Sequence, residues 1–205
     1  MKRVVFLVFL VLGLWFSTRQ SPANWKGMPA PRDPQQVTTG VPAAFQHEGL
    51  TIEPLARYSV TAVVLSRDRY RFDPGAKIAP VDLALGWGPM SVAGVINGLK
   101  ITQGGRFYEY SWREEPPLDP DQIISHSANT HCIPATPLVR RKLLQVKRHE
   151  RVTLEGYLVQ VSGDDGFVWR SSLTRADSGG GACELIWVTD VQRSAISAAR
   201  AGGEL

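Results

Sequence analysis

RVTLEGYLVQV (151–161), FVWRSSLTR (167–175) and ACELIWVTDVQ (182–192) decide the fold. In the first stretch Val152, Leu154, Gly156 and Leu158 alternate with a second set of residues, the period-two pattern of a strand with one buried face. Asp165-Gly166 supplies a hairpin turn, which makes the second stretch its return strand. The third follows a flexible segment, Ser178 to Gly181, and closes the set. Gly156 falls in mid-strand, where glycine marks a bend. The three stretches predict an α+β chain, mainly β: a small curled antiparallel sheet or barrel, OB-like or SH3-like, with one or two short helices.

Upstream, Thr136-Pro137 opens the clearest helix, with threonine at the N-cap and proline at the first helical position. Val139, Leu143 and Val146 then share one face. YSVTAVVL (58–65) reads as a strand, Pro74-Gly75 as a turn, SVAGVINGL (91–99) as a short helix and ITQGGRFYEYSW (101–112) as a strand pair or one bulged strand. IISHSANTHCIPA (123–135) has no clear period. One β-rich domain over 50–193 results, preceded by a proline-rich linker over 24–49 that reads as an extended tether and followed by a flexible tail over 194–205.

The N-terminus looks like an export signal. Lys2 and Arg3 precede an apolar run from Val4 to Phe16, and Ser21 and Ala23 are small residues before a cleavage point. Residues 1–23 are thus a signal peptide or an N-terminal anchor, and the length of the run suits cleavage better than spanning, which needs about 20 apolar residues. The formal charge of +4 includes Lys2, Arg3 and Arg19, with no acid among the first 23 residues, which leaves +1 on the remainder. So small a charge exerts no general pull on nucleic acid or anionic lipid. Membrane contact is expected only through the N-terminal segment, and the location is the periplasm or the inner membrane facing it.

In an oxidising compartment the two cysteines, Cys132 and Cys183, are expected to form a disulfide worth about 4 kcal/mol. A second reading uses His126, Asn129, His131 and Cys132 as a proton-transfer, thiol or metal cluster, but the spacing fits no common zinc pattern. No cofactor and no metal are expected, and no catalytic residue is assigned. Asp82 lies inside the apolar run VDLALGWGPM (81–90) and so needs a buried partner, with Arg69, Arg71 and His126 as candidates. Trp87 in the same run is a candidate binding aromatic. The basic residues Arg140, Arg141, Lys142, Lys147, Arg148 and Arg151 have no aromatic among them, which favours a solvated helix face over a nucleic-acid site.

YRFDPGAKIAPVDLALGWGPMS (70–91), HSANTHCIPA (126–135) and EGYLVQVSGDDGFVWRSSLTRADSGGGACELIWV (155–188) together resemble a group of bacterial envelope proteins that carry a short N-terminal membrane signal. The resemblance covers roughly residues 55–190. It implies a bacterial source and an envelope location, and it transfers no activity, fold or catalytic residue. In that group the position of Cys132 is often apolar. These features together suggest an exported, non-catalytic module that binds a protein or glycan partner through His126, Asn129, His131, Asp82 and Trp87. The alternatives are a small periplasmic hydrolase or metal enzyme built on the His126–His131 loop and, more weakly, an OB-type nucleic-acid binder.

Overall fold

The computed structural model describes residues 25–194, so the leader and most of the expected tail lie outside the described residues. Among the described residues the strands are β1 (Gln35–Val37), β2 (Phe45–His47), β3 (Leu50–Arg69), β4 (Val81–Gly86), β5 (Lys100–Gly104), β6 (Phe107–Ser111), β7 (Ser127–Pro134), β8 (Arg151–Ser162), β9 (Val168–Arg170) and β10 (Glu184–Ser194). The α-helices are α1 (Ala93–Gly98), α2 (Pro120–Ser125) and α3 (Pro137–Gln145), one more than expected. Among the described residues no helix is long and apolar enough to cross a membrane.

Five strands close into a ring in the order β3-β4-β7-β10-β8 and back to β3. All ring pairs are antiparallel except β7–β10, which is parallel, so the expected curled barrel is built on a mixed sheet. The single parallel pair arises because α3 carries the chain across one end of the barrel between β7 and β8. This order, with one helix between the third and fourth ring strands, is the connectivity of an OB-type barrel. The 20-residue strand β3 closes it by pairing over Thr51–Val63 with β8 and over Val63–Arg69 with β4. Its register shifts at Leu55 and at Leu65, and such bulges bend a strand enough to serve both sides of a ring.

Local chemistry explains the elements that were expected. The Thr136 hydroxyl accepts from Val139 N at 3.2 Å, Pro137 stands at the helix start, and Val139 and Leu143 are buried. Asp119 caps α2 in the same way, accepting from Asp121 N at 2.9 Å ahead of Pro120. The segment 101–112 is a strand pair, β5–β6.

The segment 24–49 differs from a free tether. Trp25 and Ala30 are buried, β1 pairs with Arg57–Ser59 of β3, and β2 forms a hairpin with the start of β3. Its prolines exclude helix, yet a three-residue edge strand needs few N–H donors.

Three apolar clusters hold the fold. One fills the barrel with Tyr58, Val60, Leu83, Leu85, Trp87, Cys132, Leu143, Leu154, Leu158, Ile186 and Val188 among others. Two lie outside it. The first, around Met90, Ile96, Ile101 and Ile123, sits under the 88–125 insertion, and the second, around Ile52, Ile133, Val159, Leu185 and Trp187, is covered by Phe45 and Leu50. The barrel wall is therefore buried on both sides at β4 and β7, where every residue is buried. A strand covered on both faces has no reason to alternate, which is why 123–135 shows no period.

Candidate functional site

Between the two outer apolar clusters lies a polar one. Asp82 on β4 stands opposite His131 on β7, and both side chains face out of the barrel under the tip of the β5–β6 hairpin. Asp82 is 0% exposed. Its Oδ1 accepts from Arg106 Nη1 at 3.1 Å, and its Oδ2 lies 2.9 Å from His131 Nδ1, although that ring nitrogen is not aimed well enough for a hydrogen bond. Arg106 is the hub. It also donates to Asp73 Oδ1 at 2.7 Å and to Ala79 O at 3.0 Å, and its guanidinium lies 3.9 Å from the Tyr70 ring centroid and 5.3 Å from that of Trp169. Trp169 in turn packs on His131, with ring centroids 4.7 Å apart.

Asn129 holds the hairpin down. Its amide nitrogen donates to Arg106 O at 2.9 Å, and its oxygen accepts from Gln103 Nε2 at 2.7 Å. Arg106 N donates to Tyr70 Oη at 3.1 Å. The Arg106 backbone has φ of 70°, an uncommon conformation for a side-chain-bearing residue, held here by its many contacts. Two residues beyond Arg106, the Tyr108 and Ser127 hydroxyls are hydrogen-bonded to each other.

Three of the expected residues, Asp82, Asn129 and His131, therefore meet in one place. The other two do not join them. His126 ends α2, where its Nδ1 lies 2.9 Å from Gln122 O and its Nε2 4.0 Å from Asp33 Oδ1. Trp87 is 1% exposed inside the barrel core, a packing residue and not a surface aromatic. The partner of Asp82 is also corrected: neither Arg69, Arg71 nor His126 supplies it, but Arg106, 24 residues along the chain. Sequence reading missed Arg106, Asp73, Tyr70 and Trp169. The one local signal was Gly104-Gly105-Arg106 ahead of the aromatic stretch Phe107–Tyr110, which marks a hairpin tip but not its target.

The expected Cys132–Cys183 disulfide is not formed; both cysteines are free. Cys132 pairs in register with Ile186, and both point into the barrel. Cys183 stands three residues before Ile186, and an odd offset along a strand leads to the other face. There its Sγ lies 3.8 Å from Asn129 Nδ2 and 3.9 Å from Arg106 O. Burial raises the Cys132 thiol well above the ordinary cysteine value and pushes Cys183 up to about 11. Both are protonated at neutral pH, the reverse of an activated thiolate. Among the described residues, no group of three or more His, Cys, Asp and Glu side chains is placed to hold a metal ion.

A second polar group lies at the β9–β10 loop. Glu184 is buried, and Arg175, Asp177 and Tyr58 lie near enough to perturb it or be perturbed by it. Asp177 Oδ2 accepts from the Ser172 hydroxyl at 2.7 Å, and Arg175 donates to Gln36 Oε1 at 3.1 Å. The Ser171 hydroxyl donates to Ser172 O at 2.8 Å and accepts from Leu185 N at 3.0 Å, so both serines serve the loop itself.

Burial, only partly countered by its own backbone N–H and Arg175, raises the Glu184 carboxyl to about 8. A carboxyl raised on folding binds its proton more tightly in the native state. Its contribution is present in full below the unfolded value and is lost as pH rises through about 8. Wild-type stability is therefore expected to fall, relative to Glu184→Gln, by about 3–5 kcal/mol between roughly pH 4 and pH 8. Urea midpoints of both proteins across that range check this, and parallel curves would refute it.

Comparisons with protein-family models, with curated proteins and with solved structures gave no match.

Proposed function

We propose that the protein is a non-catalytic binding module of the bacterial cell envelope that captures a protein or glycan partner on the face around the β5–β6 hairpin tip. One observation carries the reading: the charges of Arg106, Asp73 and Asp82 are spent on each other, while apolar side chains next to the cluster in sequence are left in solvent. Phe72 is 97% exposed, Phe107 50% and Val168 61%. Each adjoins an anchor of the Arg106 cluster, since Asp73 and Tyr70 flank Phe72, Arg106 precedes Phe107 and Trp169 follows Val168. Phe72 in the β3–β4 loop, Phe107 at the start of β6 and Val168 at the start of β9 are thus exposed apolar residues next in the chain to one rigid base, the composition expected of a recognition surface. On an OB-type barrel the outer side of the second and third strands, between the first–second and fourth–fifth loops, commonly binds oligosaccharides and oligonucleotides. Here those strands are β4 and β7, whose outer side is already covered, so it is the two loops, which carry Phe72 and Trp169, that are left to bind. The export signal and the resemblance to envelope proteins support the location.

The test is cosedimentation of the purified chain with isolated cell-wall sacculi, and its retention on immobilised envelope proteins. Phe72→Ser together with Phe107→Ser is expected to weaken whichever binding is found by at least about tenfold with unchanged thermal stability. Binding that survives both substitutions would overturn the assignment of this face. Preferential, salt-sensitive binding of single-stranded nucleic acid would replace the partner class.

A further inference from the structure

The C-terminal end of α3 carries a second feature, which shares no residue with the Arg106 cluster and does not depend on the function proposed above. A cleft of about 400 Å³ is lined there by Arg67, Leu144, Gln145, Lys147 and Arg193. Arg193 is neutralised by Glu150, which accepts from it at 2.7 and 2.9 Å. Arg67 is not: its Nη1 donates to Val146 O at 2.7 Å, which fixes the guanidinium without cancelling its charge. Among the described residues the side chains of Arg67, Lys147 and Arg148 form no ion pair within 4.0 Å, and Glu150, whose Oε2 accepts from the Lys147 backbone N at 3.0 Å, is already paired with Arg193. The nearest acid along β3, Asp68, is followed by Arg69. This end of the barrel therefore holds uncompensated positive charge even though the domain as a whole is almost neutral.

It is also where the N-terminal segment arrives. Trp25 is buried, its Nε1 donates to His149 O at 3.1 Å, and its ring packs on the His149 imidazole with centroids 6.0 Å apart. His149 follows Arg148 directly in the turn between α3 and β8. The apolar run ends at Phe16, and the intervening stretch reaches at most about 30 Å when fully extended.

The geometry points to this end as a docking surface for an anionic phospholipid bilayer, with lipid phosphates entering the Arg67–Lys147 cleft; this rests on the anchor reading of residues 1–23, in which the apolar run is retained and holds the chain at that bilayer. The N-terminal segment supplies the tether, and pinning Trp25 to His149 turns the basic end toward the membrane. Each cation near an anionic bilayer raises residence at its surface about fivefold.

The full chain, N-terminal segment included, is inserted into nanodiscs of phosphatidylcholine alone or of phosphatidylcholine with phosphatidylglycerol, and hydrogen exchange is followed over 66–69 and 144–150. Exchange in both stretches is expected to slow at least about tenfold in the anionic discs. The effect should disappear in about 1 M salt, where the screening length is about 3 Å. Lys147→Gln with Arg148→Gln, both exposed, should abolish it while β8 exchanges as in the wild type. Equal exchange in the two kinds of disc overturns the inference, as does slowing that survives the double substitution. The same slowing produced by inorganic phosphate over phosphatidylcholine discs also overturns it, since that would define a site for a free anion and not a membrane surface.

Discussion

Arg106→Leu is expected to lower the free energy of unfolding by about 3–5 kcal/mol, the usual cost of stranding one member of a buried ion pair. Asp82 is wholly buried, and Arg106 is the group that hydrogen-bonds its carboxylate. Leucine leaves that charge facing only the His131 ring edge and apolar neighbours. It also removes the contacts to Asp73 and Ala79 and the stacking against Tyr70. Urea unfolding at constant slope measures the loss. Adding Asp82→Asn should recover more than half of it, because the amide needs no counter-charge. A loss below about 1 kcal/mol, or no recovery in the double variant, would show that the cluster is solvated and that the buried-charge account fails.

The second large effect needs a single methyl group. A Cβ placed on Gly156 would lie 1.9 Å from Trp187 O, 2.9 Å from Trp187 C and 3.2 Å from Thr189 N. All three atoms belong to the backbone of β10, so no side-chain rotation relieves the clash. Gly156 pairs with Val188, just before the register of β8 and β10 shifts between Val188 and Asp190. Alanine must push the two strands apart where the ring closes, and Gly156→Ala is expected to cost about 4 kcal/mol or more. Gly94→Ala is the control: it lies in α1 with nothing within 4 Å and should be neutral or stabilising by up to about 1 kcal/mol. A Gly156→Ala protein that melts within about 2 °C of the wild type would show that the close approach is absent.

The parts of the fold that were legible in the sequence are those with local causes. The alternation of 151–161 and the Thr136-Pro137 start survive as β8 and α3 because each depends on neighbours a few residues away. Gly156 signalled a bend for the reason now visible, the approach of a second backbone. β7 was not legible, since burial on both faces erases the period. Nor was the pairing of Asp82 with Arg106, because charge complementarity between a strand and a hairpin tip leaves no pattern along the chain. The expected disulfide rested on compartment and count, while strand parity put the two sulfurs on opposite faces. Asp82 was picked out as a polar residue in an apolar run, and Asn129 and His131 as members of the dense polar segment 126–132; burial on the outer side of β4 and β7 joins these three, while His126, grouped with them by proximity in sequence, ends α2.

The pairing of β3 with β8 joins Thr51–Val63 to Arg151–Ser162, partners about a hundred residues apart in the chain, and the ring is sealed only by β10. At synthesis rates of about 5–20 residues per second, β3 waits on the order of 5–20 s before its long-range partner exists. During that interval the edge of YSVTAVVL (58–65) that β8 will cover stays open. The delay exposes the chain to aggregation, yet it also keeps the polypeptide threadable. On the proposed export route, a chain that crosses a membrane unfolded gains by having no barrel to close until its last third has emerged.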